Sequence, residues 1–351
     1  MRLTPTTRVA ILMHEGLQDL RGKTGQSYLR YGEATVVAVI DQEVAGRSLA
    51  ALTGLPLTAP IVSSVTAALA YDPEVLLIGI APSGGSLPEA WLGEVRQALR
   101  AGLSIVNGLH QPLAPLAAAE LGELRPGQWI WDMRQEPPGL PIGSGAARSL
   151  SCRRVLAVGT DMAVGKMSVS LELWRAARAQ GRRAEFVATG QGGLAIAGTG
   201  LVLDAVRVDF AAGAVEQAVL AQGQDCELLF IEGQGSLLHP GSTATLPLLR
   251  GSQATDLILV HRAGQQHIKN HPQVLIPPLP EAIALYETVA RAGGAFPAAR
   301  VRAVALNTQG LTLAAAQAAI AQAAADTGLC CTDALRLGPE PLLAALTATT
   351  D

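Results

Sequence analysis

The sequence predicts an α/β protein that contains two parallel-sheet domains. Short apolar runs alternate with amphipathic segments along almost the whole chain, which is the pattern of such proteins. The pattern of a strand, a turn and a helix begins again after residue 150. Between the two halves lies the stretch "RQEPPGLPIGSGAARS" (134–149), which is rich in Pro and Gly and has no hydrophobic period. We therefore predict one domain over 1–145 and a second over 146–351.

Composition and charge limit the class of protein. The 351 residues suffice for two domains, and the low aromatic content of 3% predicts a core of Ala, Val, Leu and Ile. A net charge of −3 favours neither nucleic acid nor an anionic membrane as a partner. The chain has no apolar run of about 18 residues, so no membrane span is expected. The 4 cysteines have no metal-ligand spacing, and so few do not suggest a disulfide scaffold. We expect a cytoplasmic homo-oligomeric enzyme with a small-molecule substrate and no metal site.

The first half predicts a Rossmann-like domain without a dinucleotide site. Its strands are expected at 9–13, 35–40, 75–80 and 104–108, and a helix between the last two ends at Gly102. The G-x-G-x-x-G fingerprint is absent from the first loop, so NAD binding is not predicted. That loop, "GLQDLRGKTGQSYLRYG", carries Arg30, which either meets a phosphate or carboxylate or is a plain polar loop residue.

The second half predicts a sheet whose first strand leads into a glycine-rich loop. Strands are expected at 154–158, 184–188, 227–231, 255–260 and 301–306, and the first is followed by a helix over roughly 165–180 that stops at Gly181. The loop, in "VGTDMAVGKMSVS", has Gly159, Gly165 and Lys166 directly after an apolar strand. Backbone N–H groups and the start of the helix attract anions there, and the lysine adds a full charge. The alternative is an ordinary turn with a solvated lysine.

The spacing of this loop resembles that of dethiobiotin synthetase and its relatives. In "GTDMAVGK" five residues separate the two glycines, as in G-T-D-T-x-V-G-K-T of that group, which implies a P-loop NTPase-like second domain. Met167, however, stands where a Mg²⁺-holding Ser or Thr would follow, and Ser168 lies about 100° further round the helix. This favours a phosphate binder over a metal-bound nucleotide. We predict that the ligand is bound by the loop residues Gly159, Thr160, Asp161, Gly165, Lys166, Met167 and Ser168.

Polar residues follow other strands of the second half. Glu232 in "FIEGQGS" comes directly after an apolar strand, which is where open α/β sheets place their sites. It could act as a base. The alternative is a carboxylate that caps the next turn. Gln191 in "ATGQGG" suits contact with the ligand, although a plain turn is equally compatible with the pattern. Asn307 in "ALNTQG" lies where related folds read a purine base. His239 follows the "EGQGS" turn and is either a second candidate base or a surface residue.

Taken in order, the motifs resemble one two-domain family that was first described only as a domain of unknown function. The segments that carry the resemblance cover nearly the whole chain and include "GKTGQSYLRYG", "IGIAPSGGSLP", "VGTDMAVGKMS", "ATGQGG", "IEGQGSLLHPGS" and "LNTQG". Some members of that family are D-glutamate N-acetyltransferases. In that family the lysine–methionine pair of the loop is normal.

The resemblance implies transfer of an acetyl group from acetyl-CoA to the amine of a D-amino acid, with D-glutamate as the typical acceptor. Glu232 or His239 would then take the proton of the amine. The carboxylates of the acceptor would need cations, for which Arg262, Lys269 and Arg30 are candidates. Two other classes stay open: an ATP-dependent ligase or kinase of the dethiobiotin synthetase type, with ATP and Mg²⁺, and a binding protein that senses CoA or a nucleotide.

Overall fold

The computed structural model describes residues 3–82 and 84–348, so Ser83 of the motif "IGIAPSGGSLP" lies outside the described residues. The chain forms two compact units. The first holds the residues up to 136 together with Gln191–Ala205, and the second holds Pro137–Gly190 together with the residues from 206 onward. A single division at residue 145 assigns 191–205 to the second domain, whereas in the structure this segment belongs to the first unit.

The first unit is built on a parallel sheet. Its strands are β1 (Arg8–Leu12), β2 (Thr35–Ile40), β3 (Ile61–Val62), β4 (Val75–Ile78), β5 (Ser104–Asn107) and β6 (Ile130–Asp132), and its helices are α1 (Lys23–Tyr31), α2 (Leu49–Thr53), α3 (Val65–Ala68), α4 (Glu89–Ala101) and α5 (Ala114–Leu121). The strand order is β3-β2-β1-β4-β5-β6, with every pair parallel. This order reverses direction between β1 and β4, as in dinucleotide-binding Rossmann sheets.

The second unit opens with the strand and helix that flank the glycine-rich loop. Its elements are β7 (Arg153–Gly159), α6 (Lys166–Ala179), β8 (Ala184–Val187), α8 (Val208–Gly223), β9 (Leu228–Ile231), α9 (Thr245–Ser252), β10 (Asp256–Arg262), β11 (His267–Ile268), β12 (His271–Leu275), α10 (Leu279–Arg291), β13 (Arg300–Asn307), α11 (Leu313–Thr327), β14 (Cys330–Thr332) and α12 (Glu340–Thr347). The helix α7 (Gln191–Ala197) falls in the sequence between β8 and α8 and packs against α1 in the first unit.

The sheet of the second unit is also parallel. Its order is β14-β13-β10-β7-β9-β8, so β7 lies in the middle. Buried aliphatic residues line both faces, as expected of a sheet covered by helices. The remaining two strands, β11 and β12, form a short antiparallel hairpin after β10. The central position of β7 brings the loop that follows it to the carboxyl edge of the sheet, flanked by the loops after β9 and β10.

The structure confirms the fold class: both units are parallel α/β sheets, and each strand that the apolar runs predict is present. Cys330 and Cys331, which adjoin in the sequence, lie in β14 as strand residues. The strands β3 and β6 and the hairpin were not predicted as elements, because they are short or partly exposed; of β14, only Cys330 and Cys331 were expected to be strand residues. No helix within residues 3–82 and 84–348 combines the length and the apolar character needed to cross a membrane.

Candidate phosphate-binding site

The glycine-rich loop connects β7 to α6 at the carboxyl edge of the second sheet. Gly165 adopts φ of +118°, which an L side chain rarely takes, and it directly precedes the first turn of α6. The first N–H groups of a helix have no acceptor inside it, so they point toward this edge. Lys166 is 6% exposed, and its Nζ donates to the carbonyl O of Asp161 at 2.8 Å. The loop therefore curls around the ammonium group of its own lysine.

The two ends of this loop are held by side chains at the ends of two other strands, His261 in β10 and Asn307 in β13. Thr160 is fully buried, and its Oγ1 lies 2.8 Å from Nδ1 of His261 at the end of β10. Burial lowers the pKa of His261 to about 4, so this imidazole is neutral at physiological pH. Asn307 donates from Nδ2 to the carbonyl O of Val164 at 2.9 Å. The polar atoms of Thr160 and Asn307 thus brace the loop, although the sequence predicts that both residues bind the ligand.

Asp161, another predicted ligand residue, is also engaged with protein groups. It is 1% exposed, and its Oδ1 accepts from the N–H of Met162 at 2.6 Å. Its Oδ2 accepts from Nε2 of Gln265 at 2.6 Å and from the N–H of Lys269 at 2.7 Å. Asp161 therefore joins the loop to the hairpin that follows β10.

Glu232 lies at the end of β9, next to the loop, with its carboxylate buried. The residue is 3% exposed, and its Oε2 accepts from the N–H groups of Thr189 and Gly190 at 2.9 and 3.1 Å. Its Oε1 accepts from Nε2 of Gln234 at 3.1 Å. A Cβ added to Gly190 would lie 2.5 Å from Nε2 of Gln234 and 3.3 Å from Oε1, so a glycine here makes room for the Gln234 amide beside the carboxylate. The N–H donors to Oε2 stabilise the ionised form of the carboxylate.

Gly233 and Tyr286 tie the segment after β9 to the loop. A Cβ on Gly233 would lie 1.7 Å from the carbonyl O of Ala157 in β7 and 2.9 Å from Cδ of Lys166, so only glycine permits this approach. The hydroxyl of Tyr286 donates to the carbonyl O of Gly159 at 2.7 Å and accepts from the N–H of Leu237 at 3.0 Å. Burial raises the pKa of this phenol, so it stays protonated.

His239 lies in the turn after the "EGQGS" segment and is 8% exposed. Its Nδ1 accepts from the N–H of Gly241 at 3.0 Å, which requires an unprotonated Nδ1. The neutral ring therefore carries its proton on Nε2 and offers a donor there. The ring also contacts the edge of His271 in β12, with centroids 5.0 Å apart.

The remaining predicted residues are distributed over both units. Met167 and Ser168 are half-buried in the first turn of α6, Arg262 is half-buried at the end of β10, and Lys269 is exposed at the tip of the hairpin. Arg30 is exposed on α1 and Gln191 begins α7, both in the first unit. The described part of the chain contains no group of three or more His, Cys, Asp and Glu side chains that could hold a metal ion.

The sequence reasoning missed residues that act by holding others. Tyr286 and Gln265 belong to a helix and a turn far along the chain from the loop, and no local pattern connects them to it. His261 was visible at the end of an apolar strand, but the sequence does not show that its partner is Thr160. Gly233 had a signal, since a glycine directly after a buried acid often marks a close backbone approach.

Comparisons with known proteins show the family. The family described as "Domain of unknown function (DUF1611_C) P-loop domain" matches residues 141–343, and "Domain of unknown function (DUF1611_N) Rossmann-like domain" matches residues 42–136. A crystal structure of a DUF1611 family protein from Anabaena variabilis shares 60% identity and covers 97% of this chain and 99% of that one, with a TM-score of 0.93.

Two curated relatives carry an activity in their names. A D-glutamate N-acetyltransferase from Pseudoalteromonas sp. is 31% identical over 342 residues, which are 97% of this chain and 96% of the relative. A D-glutamate N-acetyltransferase from Tritonibacter scottomollicae is 34% identical over 282 residues, which are 80% of this chain and 83% of the relative. The family that the motifs predict is thereby confirmed: this chain belongs to the DUF1611 family, with a Rossmann-like N-terminal domain and a P-loop C-terminal domain.

Proposed function

We propose that this chain is an N-acetyltransferase that moves the acetyl group of acetyl-CoA to the amine of an amino acid, with D-glutamate as the acceptor to test first. The observation that carries the proposal is the similarity over 97% of the chain to a D-glutamate N-acetyltransferase. A similarity of that length includes the loop, the segment after β9 and the hairpin. The proposal therefore concerns the whole chain and does not rest on the loop alone.

The loop has the properties of a site for a phosphate group. It combines the positive end of a helix of 14 residues with the ammonium group of Lys166. A Cβ on Gly159 would lie 3.1 Å from that Nζ, so the glycine keeps room beside the charge. These residues fit a phosphate or pyrophosphate of CoA, and they equally fit those of a nucleotide.

Met167 favours CoA over a metal-bound nucleotide. A thioether is a soft and weak ligand, whereas Mg²⁺ takes hard oxygen ligands. The nearest hydroxyl, that of Ser168, lies one position further along the helix and points about 100° away from the position that the usual ligand occupies. Acetyl-CoA needs the phosphate site of the loop and does not need this metal ligand.

Glu232 is the better candidate for the general base of the two that the sequence offers. The amine must lose a proton as its nitrogen bonds to the thioester carbon and the C–S bond breaks to release CoA. Oε1 of Glu232 faces the side-chain amide of Gln234 at the carboxyl end of β9, and an ionised carboxylate oxygen can accept that proton. Gly233, the next residue, lies so close to the stem of Lys166 that a Cβ there would be 2.9 Å from Cδ, which places the carboxylate of Glu232 near the lysine of the loop.

His239 suits a different role, that of a hydrogen-bond donor. Because its Nδ1 accepts from the N–H of Gly241, the neutral ring has no acceptor at Nε2 and cannot take a proton there. Its Nε2–H can donate to the oxygen on which negative charge develops, or to a carboxylate of the acceptor. Arg262 is the candidate cation for the acceptor carboxylates within the second unit.

Ligand-dependent thermal stability tests the proposal. The purified chain is melted with acetyl-CoA, with free CoA and with ATP and Mg²⁺, because a ligand that binds only the folded state raises the Tm. We expect acetyl-CoA and CoA to raise the Tm, and we expect a smaller rise in Lys166→Ala. A rise with ATP and Mg²⁺ and none with either CoA species would contradict the proposal and favour an ATP-dependent ligase or kinase.

Catalysis is tested in the same preparation by following CoA release with D-glutamate and with L-glutamate. Glu232→Gln keeps the size of the side chain and its contacts with N–H groups through the retained oxygen, but it removes the base. We expect kcat to fall by about 10² to 10⁴ while the affinity for CoA is kept. An equal loss of CoA binding in Glu232→Gln would instead give Glu232 a role in building the site.

A further inference from the structure

The hairpin of β11 and β12 depends on contacts from outside itself. Its ladder pairs only His267 with Leu275 and Ile268 with His271. A two-stranded hairpin of this size is marginal in water, so its position must be set by its anchors. One anchor is Ile268, whose side chain is buried. The second is Asp161, which accepts the N–H of Lys269 at the tip and the side-chain amide of Gln265 at the base.

Asp161 also touches the lysine of the phosphate-binding loop, through its other polar group. Its backbone carbonyl accepts from Nζ of Lys166 at 2.8 Å, while its carboxylate holds the hairpin. The amide of Gln265 is itself fixed, because Nε2 also donates to the carbonyl O of His267 at 2.9 Å. One buried residue therefore contacts both the loop lysine and the hairpin.

The hairpin carries side chains that the reaction can use. The backbone N of Lys269 lies 2.7 Å from Oδ2 of Asp161. The exposed side chain of Lys269 therefore extends from a backbone position directly beside the loop. On the second strand of the hairpin, the ring of His271 contacts His239. The hairpin thus extends from the phosphate-binding loop to the candidate donor His239.

We propose that Asp161 is a positioning residue, and not a ligand contact, that fixes the hairpin so that Lys269 presents its charge to the anionic ligand of the loop. The kinetic test of this proposal rests on the proposed function. The test of the contact between Asp161 and the hairpin does not, since that contact can be measured without any substrate. All three donors to the carboxylate are N–H groups, so Asn leaves one of them facing an NH₂ and gives the others a neutral acceptor in place of a charged one.

Two measurements test the proposal on Asp161→Asn. Hydrogen exchange is followed without ligand in the peptide that covers 266–275, and the KM for acetyl-CoA and kcat are measured separately. We expect exchange in that peptide to accelerate about tenfold or more, since the hydrogen bonds that hold the hairpin lose their charged acceptor. We expect the KM for acetyl-CoA to rise about tenfold, with a smaller change in kcat. Gln265→Ala, which keeps the carboxylate, should show the same pattern more weakly.

The matched control is Asp256→Asn. Asp256 is also buried in the second unit and accepts from Arg153 and Arg302, but it lies at the opposite end of β10. This variant should lower global stability without selective exchange in the hairpin and without a rise in KM. If Asp161→Asn and Asp256→Asn gave the same exchange pattern and the same KM, the proposal would be overturned.

A double-mutant cycle separates positioning from direct contact. If Asp161 acts through Lys269, then Lys269→Ala raises the KM in the native background and adds little in Asp161→Asn. Fully additive effects would show that Asp161 acts independently and would overturn the proposal. If the native chain releases no CoA from acetyl-CoA with any amino acid, the proposed function fails, and the exchange measurement still decides whether Asp161 holds the hairpin.

Discussion

Tyr286→Phe removes one buried oxygen that joins two segments of the site. The hydroxyl bridges the carbonyl O of Gly159 and the N–H of Leu237, and the side chain is fully buried. Phe fills the same space apart from that oxygen, so both backbone groups lose their partner where water does not reach them easily. Each unsatisfied group costs about 1–3 kcal/mol, so the two together give a loss of roughly 2–6 kcal/mol in the free energy of unfolding.

Urea denaturation measures this loss through the shift of the midpoint at unchanged m. Tyr71→Phe is the control, because Tyr71 is 40% exposed and lies in the first unit. We also expect kcat to fall, since Tyr286 holds the segment after β9 against the loop. A loss of stability below about 0.5 kcal/mol would refute the reasoning, because it would mean that water or a relaxed backbone satisfies both groups.

Three further predictions concern the loop and its surroundings. Lys166→Ala should weaken acetyl-CoA binding about tenfold or more in titration calorimetry, while the circular dichroism spectrum stays native; unchanged affinity and turnover would remove the loop from the mechanism. Gly233→Ala should destabilise the chain by about 3 kcal/mol or more, because a backbone carbonyl of Ala157 cannot yield to a Cβ at 1.7 Å, and a native urea midpoint would contradict this. His261 takes its proton below about pH 4 when folded and near 6.5 when unfolded, so stability should fall as the pH drops from 6.5 to 4; His261→Gln should flatten that dependence in urea midpoints measured across the range, and an unaltered slope would speak against the shift.

The fold could be predicted well because parallel strands buried on both faces appear in the sequence as continuous apolar runs. Each strand that such a run predicted is present, within one or two residues for most strands. The sequence did not predict that residues 191–205 belong to the first unit, since no local pattern in "QGGLAIAGTGLVLDA" indicates which unit this segment packs with. The hairpin was missed because His267, Lys269 and Leu275 are exposed, so its strands have no apolar period.

The site could be predicted only in part. The sequence located the loop and Glu232 beside it, because both follow apolar strands that end at the same edge of the sheet. It did not predict that the side chains of Thr160, Asp161 and Asn307 brace the loop from within, since their partners are far away in the sequence. The choice between Glu232 and His239 as base depends on one hydrogen bond, from Gly241 to Nδ1, which no motif encodes.

Direct detection of the product tests the central claim most directly. The purified chain is incubated with acetyl-CoA and D-glutamate, and with L-glutamate in parallel, and both products are followed by mass spectrometry. The proposal predicts that N-acetylglutamate and free CoA form in equal amounts, faster from the D enantiomer, and that Glu232→Gln slows the formation of both by about 10² to 10⁴. The proposal would be contradicted if neither product formed from D-glutamate or from a wider set of amino acids while ATP and Mg²⁺ stabilised the chain.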